Sequence, residues 1–382
     1  MLKSASLFAA CSLLLLAAPA AAKTRVVHPG DSIQAAVDAA NPGDTIHVMP
    51  GTYQEPGTPC PTNPATTCAV SITKPGIALV AKPKHRKPVV IENPDGQRHG
   101  IAVAPPNLSP TTCLEGSAQR LSGVTIRGFT VNGFDAMGIF LTCVDRFDIR
   151  FNETNDNAEY GIFPSHSTRG RVAFNVATGS HDTGIYIGQS HRVRVDHNLA
   201  HDNVSGFEIE NSSEVRTDHN VATGNTGGIL SFTLPGLDVK ENARNRIDHN
   251  WVQDNDRPNT CLDPEDAVCA VPPGTGILAL AADANRVDHN VVLDNDSYGI
   301  AVANFCLASG LTEEQCAALD IDPDPDRNKV DHNLVLENGH DPSPLVAPVF
   351  AVDLAWDTTG DGNCWKKNKS QTQFPDSLPA CN

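Results

Sequence analysis

The sequence predicts an all-β fold, a single-stranded right-handed parallel β-helix (a solenoid) with a capping helix at its N-terminus. Two repeating marks and one local pattern predict this fold. A glycine followed by an apolar residue recurs mostly every 22 or 23 residues, as at Gly161-Ile162 and Gly184-Ile185. A polar mark, in most copies Asp-His-Asn, shares this base period, and short β-branched runs with period-two alternation lie between the marks. The asparagines of the polar mark are Asn152, Asn175, Asn198, Asn220, Asn250, Asn290 and Asn333.

The period and the alternation together determine how such a repeat can bury its apolar side chains. Each repeat holds two or three short strands, which are too few to form a core alone. Successive coils must therefore stack, so that each strand pairs with its equivalent above and below. The asparagines then form a ladder of side-chain amides, each hydrogen-bonded to the next coil. The alternation excludes tandem helical repeats, and a propeller needs a period of about 40 with a different signature.

The two ends of the chain depart from the repeat. Residues 31–40 show an N-cap and helical periodicity, and Thr45–Val48 is predicted to be the first strand. A short amphipathic helix at this place covers the open end of a solenoid. The repeat is lost from Pro342 onward. The predicted domains are a signal peptide at 1–22, the β-helix at 23–341 and a disulfide-closed C-terminal cap at 342–382.

The first residues have the features of a secretory signal peptide. Lys3 supplies the positive start, Leu7–Ala18 the apolar core, and Pro19–Ala22 a small-residue cleavage site. A lipoprotein anchored at Cys11 is the alternative, although the best apolar run follows Cys11 instead of preceding it. No later stretch is long and apolar enough for a transmembrane helix, so we expect a periplasmic or secreted protein.

The cysteines favour an oxidising compartment. Without Cys11, ten of the 11 cysteines remain, and they fall into close sequential pairs. Sequence cannot fix the connectivity, but nearest-neighbour pairing is the simplest prediction, since each pair closes one local loop. The predicted disulfides are Cys60–Cys68, Cys113–Cys143, Cys261–Cys269, Cys306–Cys316 and Cys364–Cys381. We predict no metal site from the cysteines, because the sequence has neither a Cys-x-x-Cys motif nor a tight Cys/His cluster.

The net charge of −17 argues against nucleic acid and anionic membrane surfaces as partners. It also disfavours a polyanionic substrate unless Ca²⁺ or a local arginine cluster intervenes. Calcium is the one cofactor that we keep as an expectation. Residues Asp357–Asn363 resemble a loose Ca²⁺ loop but lack the terminal bidentate glutamate of an EF-hand, and a tight turn is the alternative.

The N-terminal segment from Ser32 to Tyr53 closely resembles the opening of secreted right-handed β-helix proteins. These include pectate-lyase-like enzymes, alginate lyases and epimerases, and periplasmic proteins that help to load copper into nitrous oxide reductase. A narrower match, at Gly206–Asn211, Asn225–Leu230, Leu234–Gly236 and Val271–Gly276, resembles exported β-helix proteins often encoded beside a c-type cytochrome-like protein. The resemblance implies the fold over about residues 25–340, and it names a family without naming a reaction.

Glu208 and Glu210 form the most unusual local feature of the sequence. Counting from the Gly-apolar marks places both on one outer face, with Tyr186 one coil below and Leu230 and Phe232 one coil above. Carboxylates two residues apart on a strand are separated by about 6.5–7 Å. That separation suits an acid/base pair at a glycosidic bond, or a cation site. We predict Glu208, Glu210 and Tyr186 as catalytic residues.

Side chains on the lower part of the same face are predicted to bind substrate. The stretch Tyr160–His166 resembles the Tyr-Gly…Asp-Pro-His stretch of alginate epimerases, which implies that Tyr160 and His166 match the family's tyrosine and histidine. Phe163 stands where that family has its aspartate, and Ser165 is an extra residue. The predicted substrate-binding residues are Tyr160, Phe163, His166, Asp182 and Phe232.

These features have alternative interpretations. Asp-His-Asn resembles the Asp-His of a pectate lyase strand, but five copies at the coil period indicate scaffold. Glu208 and Glu210 can also be solvated carboxylates beside apolar residues covered by the insertions at 234–243 and 256–275. An open groove at Glu208 and Glu210 favours sugar binding, whereas a face closed by the insertions favours a structural role.

Three functions are compatible with the sequence. The first is a protein that binds, and as an enzyme modifies, a polysaccharide by lyase, epimerase or hydrolase chemistry. The second is a non-catalytic binding or assembly protein that acts with a periplasmic c-type cytochrome partner. The third is a Ca²⁺- or copper-linked accessory protein, and it has the least support because no Met/His/Cys ligand cluster is visible in the sequence.

Overall fold

The computed structural model describes residues 22–84, 87–94, 96–106, 108, 113 and 116–382. Apart from Ala22, the predicted signal peptide lies outside the described residues, and so does Cys11. The chain winds as a right-handed parallel β-helix whose coils contribute strands to three long sheets, here called A, B and C. This architecture confirms the predicted fold class.

Sheets A and C each contain 12 strands, and sheet B contains 10. Sheet A consists of Thr24–Val27, Thr45–Val48, Ala78–Ala81, Thr125–Arg127, Asp148–Arg150, Arg171–Ala173, Arg194–Asp196, Arg216–Asp218, Arg246–Asp248, Arg286–Asp288, Lys329–Asp331 and Cys364–Lys366. Sheet B consists of Gly51–Tyr53, Val89–Glu92, Thr130–Asn132, Glu153–Asn155, Val176–Thr178, Leu199–His201, Val221–Thr223, Trp251–Gln253, Val291–Leu293 and Leu334–Leu336. Sheet C consists of Thr58–Pro59, Thr67–Ile72, His99–Val103, Met137–Thr142, Tyr160–Ser165, Thr183–Gly188, Ser205–Glu210, Gly227–Phe232, Thr275–Leu280, Tyr298–Ala303, Leu354–Trp356 and Gln373–Phe374. A small sheet pairs Leu121–Ser122 with Val144–Asp145, and among the described strands only Thr58–Pro59 pairs antiparallel, with Thr67–Ile72.

The core lies inside the coils and takes its side chains from alternate positions of the strands. In sheet C the inward residue of each coil is stacked on its equivalent in the next coil, as Ile185, Phe207 and Ile229 are. Sheet A stacks Val172 on Val195 in the same way. Aliphatic side chains of similar size fit the strand spacing, which explains why aromatic residues make up only 5% of the chain.

Asparagine ladders connect the coils at their turns, as predicted. The backbone N–H and the side-chain amide of Asn198 both donate to Asn220 Oδ1 at 2.9 Å. Asn198 Nδ2 also donates to the carbonyl oxygen of Val172 at 3.0 Å. The first ladder runs through Asn152, Asn175, Asn198, Asn220, Asn250, Asn290, Asn333 and Asn368, and a second through Asn203, Asn225, Asn255, Asn295 and Asn338. The buried amides are therefore satisfied by the neighbouring coils.

The aspartate and histidine of the Asp-His-Asn mark also hold the coils together. Buried Asp218 accepts hydrogen bonds from Arg194 of the preceding coil, at 2.9 and 2.8 Å, and is hydrogen-bonded to His219 Nδ1 at 2.8 Å. Burial raises the pKa of Asp218, but these hydrogen bonds and the charges of Arg194 and Arg216 together outweigh it, and the net shift is downward. The imidazole rings of His197, His219, His249, His289 and His332 stack at 5.0–5.1 Å. These contacts give the whole mark a structural role.

The N-terminal helix spans Ile33–Ala39 and packs its buried residues Ile33 and Val37 against the core. The prediction that Thr45–Val48 is the first strand was wrong. Thr24–Val27 precedes the helix and pairs with Thr45–Val48 at the edge of sheet A. In this edge strand only Val27 is buried, so its sequence shows little of the apolar alternation by which strands are recognised.

The C-terminal residues continue the sheets beyond the last sequence mark. Leu354–Trp356 and Gln373–Phe374 extend sheet C, and Cys364–Lys366 extends sheet A. The insertions and the tail hold short helices at Phe305–Ala308 and Glu313–Ala317 and 3₁₀ helices at Ala267–Ala270 and Pro348–Phe350. The division at 341/342 into β-helix and cap stays a prediction.

Five disulfides join the nearest-neighbour cysteine pairs predicted from the sequence: Cys60–Cys68, Cys113–Cys143, Cys261–Cys269, Cys306–Cys316 and Cys364–Cys381. Their loops close over 8 to 30 residues, so each is local. Such disulfides are typical of periplasmic and extracellular proteins. Within the described part of the chain, no helix has the length and apolar character needed to cross a membrane.

Candidate functional site

The outer face of sheet C carries two rows of side chains, and the register places them as predicted. The first row is Phe140, Phe163, Tyr186, Glu208, Leu230 and Leu278. The second row is Thr142, Ser165, Gly188, Glu210, Phe232 and Leu280. Phe207 and Ile209 alternate with the two glutamates and belong to the core cluster. Glu208 and Glu210 therefore lie on the same outer face of one strand.

An aromatic cluster forms the lower half of this face. The rings of Phe163 and Tyr186 stack with centroids 4.5 Å apart, and Tyr160 packs against both at 4.9 Å. Tyr160 and Phe163 are half-buried, whereas Tyr186 is only 6% exposed. Gly188 leaves the room for this packing, because a Cβ there would lie 2.9 Å from Phe163 Cε2 and 3.5 Å from Glu210 Oε2. The aromatic and acidic parts of the face thus adjoin above Gly188.

Glu208 and Glu210 both hold a proton more tightly than an ordinary glutamate. Burial raises the pKa of Glu208 well above its usual range, and repulsion from Asp182 adds to the effect. The nearby hydroxyl groups of Ser205 and Thr183 oppose this shift without cancelling it. Burial raises the pKa of Glu210 to about 7, against the opposing effect of a hydrogen bond from Tyr186.

Asp182 joins the two glutamates in an acidic cluster. Burial raises its pKa to about 7, although hydrogen bonds from Thr183 and Tyr160 favour the ionised form. The Thr183 hydroxyl donates to Asp182 Oδ1 at 2.9 Å. The pKa of Tyr160 is raised in turn, first by burial and then by the charge of Asp182. Proton positions on Asp182, Glu208, Glu210, Tyr160 and Tyr186 therefore depend on one another.

The acidic cluster does not converge on a point as calcium ligands do. Across the described residues, only one group of three potential ligand atoms lies within 4.8 Å, and it belongs to Cys60, Cys68 and His99. Two of these residues form a disulfide. The Asp357 carboxylate of the loose Ca²⁺ loop accepts hydrogen bonds from the N–H groups of Asn304 and Thr359, which is typical of a turn. A role for Ca²⁺ stays an expectation.

The insertion at 256–275 covers the upper part of the face. Its residues Val268 and Val271 pack against Leu230 and Phe232 in a separate apolar cluster. Two further contacts fasten the insertion to lower coils. Thr260 O lies 3.0 Å from His181 Nδ1, and Arg257 forms an ion pair with Asp202 at 3.0 Å.

The insertion at 234–243 lies along the edge of the same face. Asn211 Nδ2 donates to the carbonyl oxygens of Leu234 and Val239, at 2.8 and 2.6 Å. The Asp238 N–H donates to Gln189 Oε1 at 2.9 Å. The Asp238 carboxylate also lies 3.5 Å from His166 Nε2, so this predicted substrate-binding histidine faces the insertion.

The two insertions leave Glu208 and Glu210 only 4% and 7% exposed. The alternative of solvated glutamates was therefore wrong, because sequence counting gives the direction of a side chain and not what lies above it. The face over Glu208 and Glu210 is closed, which is the outcome that favours a structural role for them as long as the insertions stay in place. Phe232, predicted to bind substrate, is 8% exposed and packs under the insertion. The accessible part of the face is its lower half, where Tyr160, Phe163 and Asp182 are half-buried.

Three residues of the site escaped sequence reasoning. Thr183 and Ser205 begin two strands of sheet C beside the carboxyl groups, the Thr183 hydroxyl donates to Asp182 Oδ1, and Gly188 makes room for Phe163. A signal for Gly188 was present, since the other residues of its row carry larger side chains. Thr183 and Ser205 lie just before a Gly-apolar mark, where small polar residues are common and gave no distinct signal.

Comparisons with known proteins agree with the fold. A family model described as "Right handed beta helix region" matches residues 111–233. No curated protein sequence matches the chain.

Several solved structures share the architecture at low sequence identity. The mannuronan C-5 epimerase AlgE4 A-module of Azotobacter vinelandii has a TM-score of 0.58 at 15% identity, covering 91% of this chain and 95% of that one. The periplasmic alginate epimerase AlgG has a TM-score of 0.56 at 16% identity, covering 85% and 69%. The DFA-IIIase of Arthrobacter chlorophenolicus A6 has a TM-score of 0.54 at 13% identity, covering 91% and 80%. At these identities the likeness is one of fold.

Proposed function

We propose that the chain binds and modifies a polysaccharide on the outer face of sheet C. The observation that supports this most is that half-exposed Tyr160 and Phe163 adjoin carboxyl groups whose pKa is raised toward neutrality or above it. Aromatic side chains pack against the apolar faces of sugar rings, and carboxyl groups that titrate near neutral pH suit acid and base catalysis. The fold shared with alginate epimerases adds support by analogy.

The two glutamates have different roles in this proposal. Glu208 is the more deeply buried and lies beside Asp182, so it keeps its proton and serves as the general acid. Glu210 has a pKa of about 7 and serves as the base. The Tyr186 hydroxyl donates to Glu210 and orients its carboxylate. We therefore keep Glu208, Glu210 and Tyr186 as the proposed catalytic residues.

The half-exposed lower face is where a sugar chain makes its first contact. Tyr160, Phe163 and Asp182 are partly exposed, whereas Glu208 and Glu210 are buried beside the insertion at 256–275. Chemistry at Glu208 and Glu210 therefore requires this insertion to move. When closed, it keeps water away from the reacting groups.

A polysaccharide screen with the purified mature protein tests the proposal. The assay follows unsaturated-uronate absorbance, reducing ends and epimer composition, with and without Ca²⁺. We expect activity on at least one polymer, and we expect the Glu208→Gln/Glu210→Gln double variant to lose more than about 100-fold of it. Glu214→Gln is the matched control, because Glu214 is an exposed glutamate on the next turn and pairs with Arg192.

Activity that survives in the double variant refutes the assignment of Glu208 and Glu210. If neither protein acts on or binds any polymer, the polysaccharide function itself is wrong. No comparison supports the alternative role beside a c-type cytochrome, and no contact of the described residues favours it, so we do not propose it.

A further inference from the structure

The outer face of sheet C carries three carboxyl groups that no cation of the described chain pairs with. Asp182, Glu208 and Glu210 lie within one cluster, and none of them forms an ion pair with a described residue. The arginines at the margins of the face form ion pairs with other carboxylates. The pairs are Arg98–Glu159 at 3.2 Å, Arg257–Asp202 at 3.0 Å and Arg120–Asp145 at 2.8 Å.

The histidines near the face do not supply the missing positive charge. His166 lies 3.5 Å from the Asp238 carboxylate, and His181 Nδ1 is hydrogen-bonded to the Thr260 carbonyl oxygen. Burial lowers the pKa of His166, so its imidazole is mostly neutral at neutral pH. The insertions add further acids above the cluster, since Asp266 contributes to the repulsion at Asp182.

A uronate residue carries a carboxylate, and binding it here requires a compensating cation. Protein arginines and lysines supply that cation in direct recognition, and a bound Ca²⁺ supplies it in bridged recognition. The described part of the face has no unpaired arginine or lysine beside the three carboxyl groups. A bound Ca²⁺ needs oxygen ligands that converge, and the described carboxylates of this cluster do not form a group within 4.8 Å.

The remaining surface suits an uncharged sugar. The partly exposed rings of Tyr160 and Phe163 offer apolar contact area, and buried Tyr186 stacks on Phe163 and supports it. The carboxyl group of Asp182 accepts hydrogen bonds from sugar hydroxyls when ionised and can also donate one when protonated, and Glu210 can do the same once the insertion at 256–275 moves. A neutral ring therefore satisfies both halves of the face, whereas a uronate ring brings a like charge to the acidic half.

We propose that this face selects an uncharged polysaccharide and rejects polyuronates. The inference rests on the proposed function and specifies the substrate class of the same site. It sets the chain apart from the structural neighbours that are mannuronan and alginate epimerases, since those names imply uronate polymers.

Matched pairs of oligosaccharides test the substrate class. Oligosaccharides of β-1,4-linked mannose and of β-1,4-linked mannuronate of equal length differ only in a hydroxymethyl or carboxylate group, and α-1,4-linked galactose and galacturonate oligosaccharides form a second pair. Binding is measured by calorimetry at about pH 8, where Asp182 and Glu210 are largely ionised, in EDTA and again with Ca²⁺. We expect the neutral member of a bound pair to bind at least about tenfold more tightly in both buffers. We also expect the Asp182→Asn/Glu210→Gln variant to bind the uronate more tightly, so that the affinity ratio between the neutral sugar and its matched uronate becomes smaller.

Each outcome decides between the two claims. If a uronate member binds as tightly as its neutral partner, or does so once Ca²⁺ is added, the substrate class is wrong while the polysaccharide function stands. If Phe163→Ala leaves the affinity of a bound neutral sugar unchanged, the sugar lies elsewhere and this face selects nothing. If no member of either pair, nor any polymer of the screen, is bound, the proposed function fails and the inference fails with it.

Discussion

At the scale of single residues, the molecule contains carboxyl groups of two opposite kinds. The aspartates of the polar mark, such as Asp218, are buried but hydrogen-bonded to arginine, and their pKa values are lowered. Glu208 and Glu210 are buried without a cation, and their pKa values are raised. The first kind stabilises the coils when ionised, and the second kind costs stability when ionised.

The pH dependence of stability reports on the second kind. The pKa of Glu210 rises from 4.5 to about 7 on folding, so the folded chain binds more protons than the unfolded chain between these values. The free energy of unfolding should therefore fall as pH rises through this window. We expect Glu210→Gln to be more stable than wild type above about pH 7, by on the order of 1–3 kcal/mol, in urea unfolding.

Glu214→Gln is the control for this comparison. Glu214 is exposed and its pKa is lowered by a hydrogen bond from Arg192, so its replacement should not flatten the profile. A wild-type stability that does not change between about pH 5 and pH 8 would contradict the burial of Glu210 as the cause.

At the scale of elements, the ladders do most to fix the register of the coils. The Asn220 side chain accepts two hydrogen bonds from Asn198 and donates to Asn250 Oδ1 and to the Val195 carbonyl oxygen. Removing it leaves buried groups without partners on both neighbouring coils, and each such group costs about 1–3 kcal/mol.

The position of an asparagine in the ladder therefore sets the cost of its loss. We expect Asn220→Ala to lower the unfolding free energy by about 3 kcal/mol or more. Asn368→Ala, at the half-buried end of the same ladder, should cost roughly half of that or less. Both variants are measured by thermal and chemical unfolding. If Asn220→Ala and Asn368→Ala lower the unfolding free energy equally, the amides do not act as a buried ladder.

The insertion at 256–275 is the element that controls access to the glutamates. Val271 packs on Leu230 and Phe232, so Val271→Ser should loosen the insertion. We expect faster hydrogen exchange in this insertion and stronger polysaccharide binding or turnover. Val221→Ser, at a 36% exposed valine of sheet B, is the matched control and should change neither. Faster exchange with unchanged binding would show that the insertion does not gate the site.

At the scale of the whole molecule, a solenoid must protect both of its ends. The N-terminal helix covers one end, and strands from the tail pair with the last coils at the other. We expect a chain that stops at residue 341 to expose strand edges and to self-associate, as measured by light scattering over a range of concentrations. A Cys364→Ser/Cys381→Ser variant that keeps the tail should stay as monodisperse as wild type. A monomeric truncated chain would argue against a capping role for residues 342–382.

The repeat marks made the fold predictable, because the physics that stacks the coils also imposes the period. Asparagines such as Asn198 recur where a turn needs a side-chain amide. Glycines such as Gly184 recur where neighbouring coils approach closely. Counting from the Gly-apolar marks also predicted the outward rows that contain Glu208. It could not predict that the face is covered at Glu208, since Val268 and Val271 lie in an insertion outside the repeat. The edge strand Thr24–Val27 was missed because only one of its residues is buried.

Hydrogen–deuterium exchange with and without a bound oligosaccharide shows whether the outer face of sheet C binds a sugar chain. We expect slower exchange in Tyr160–Ser165 and Thr183–Gly188 when the sugar is bound, together with a change in the insertion at 256–275. Protection confined to another surface, such as the exposed ring stack at Phe151 and Phe174, would contradict binding at this face.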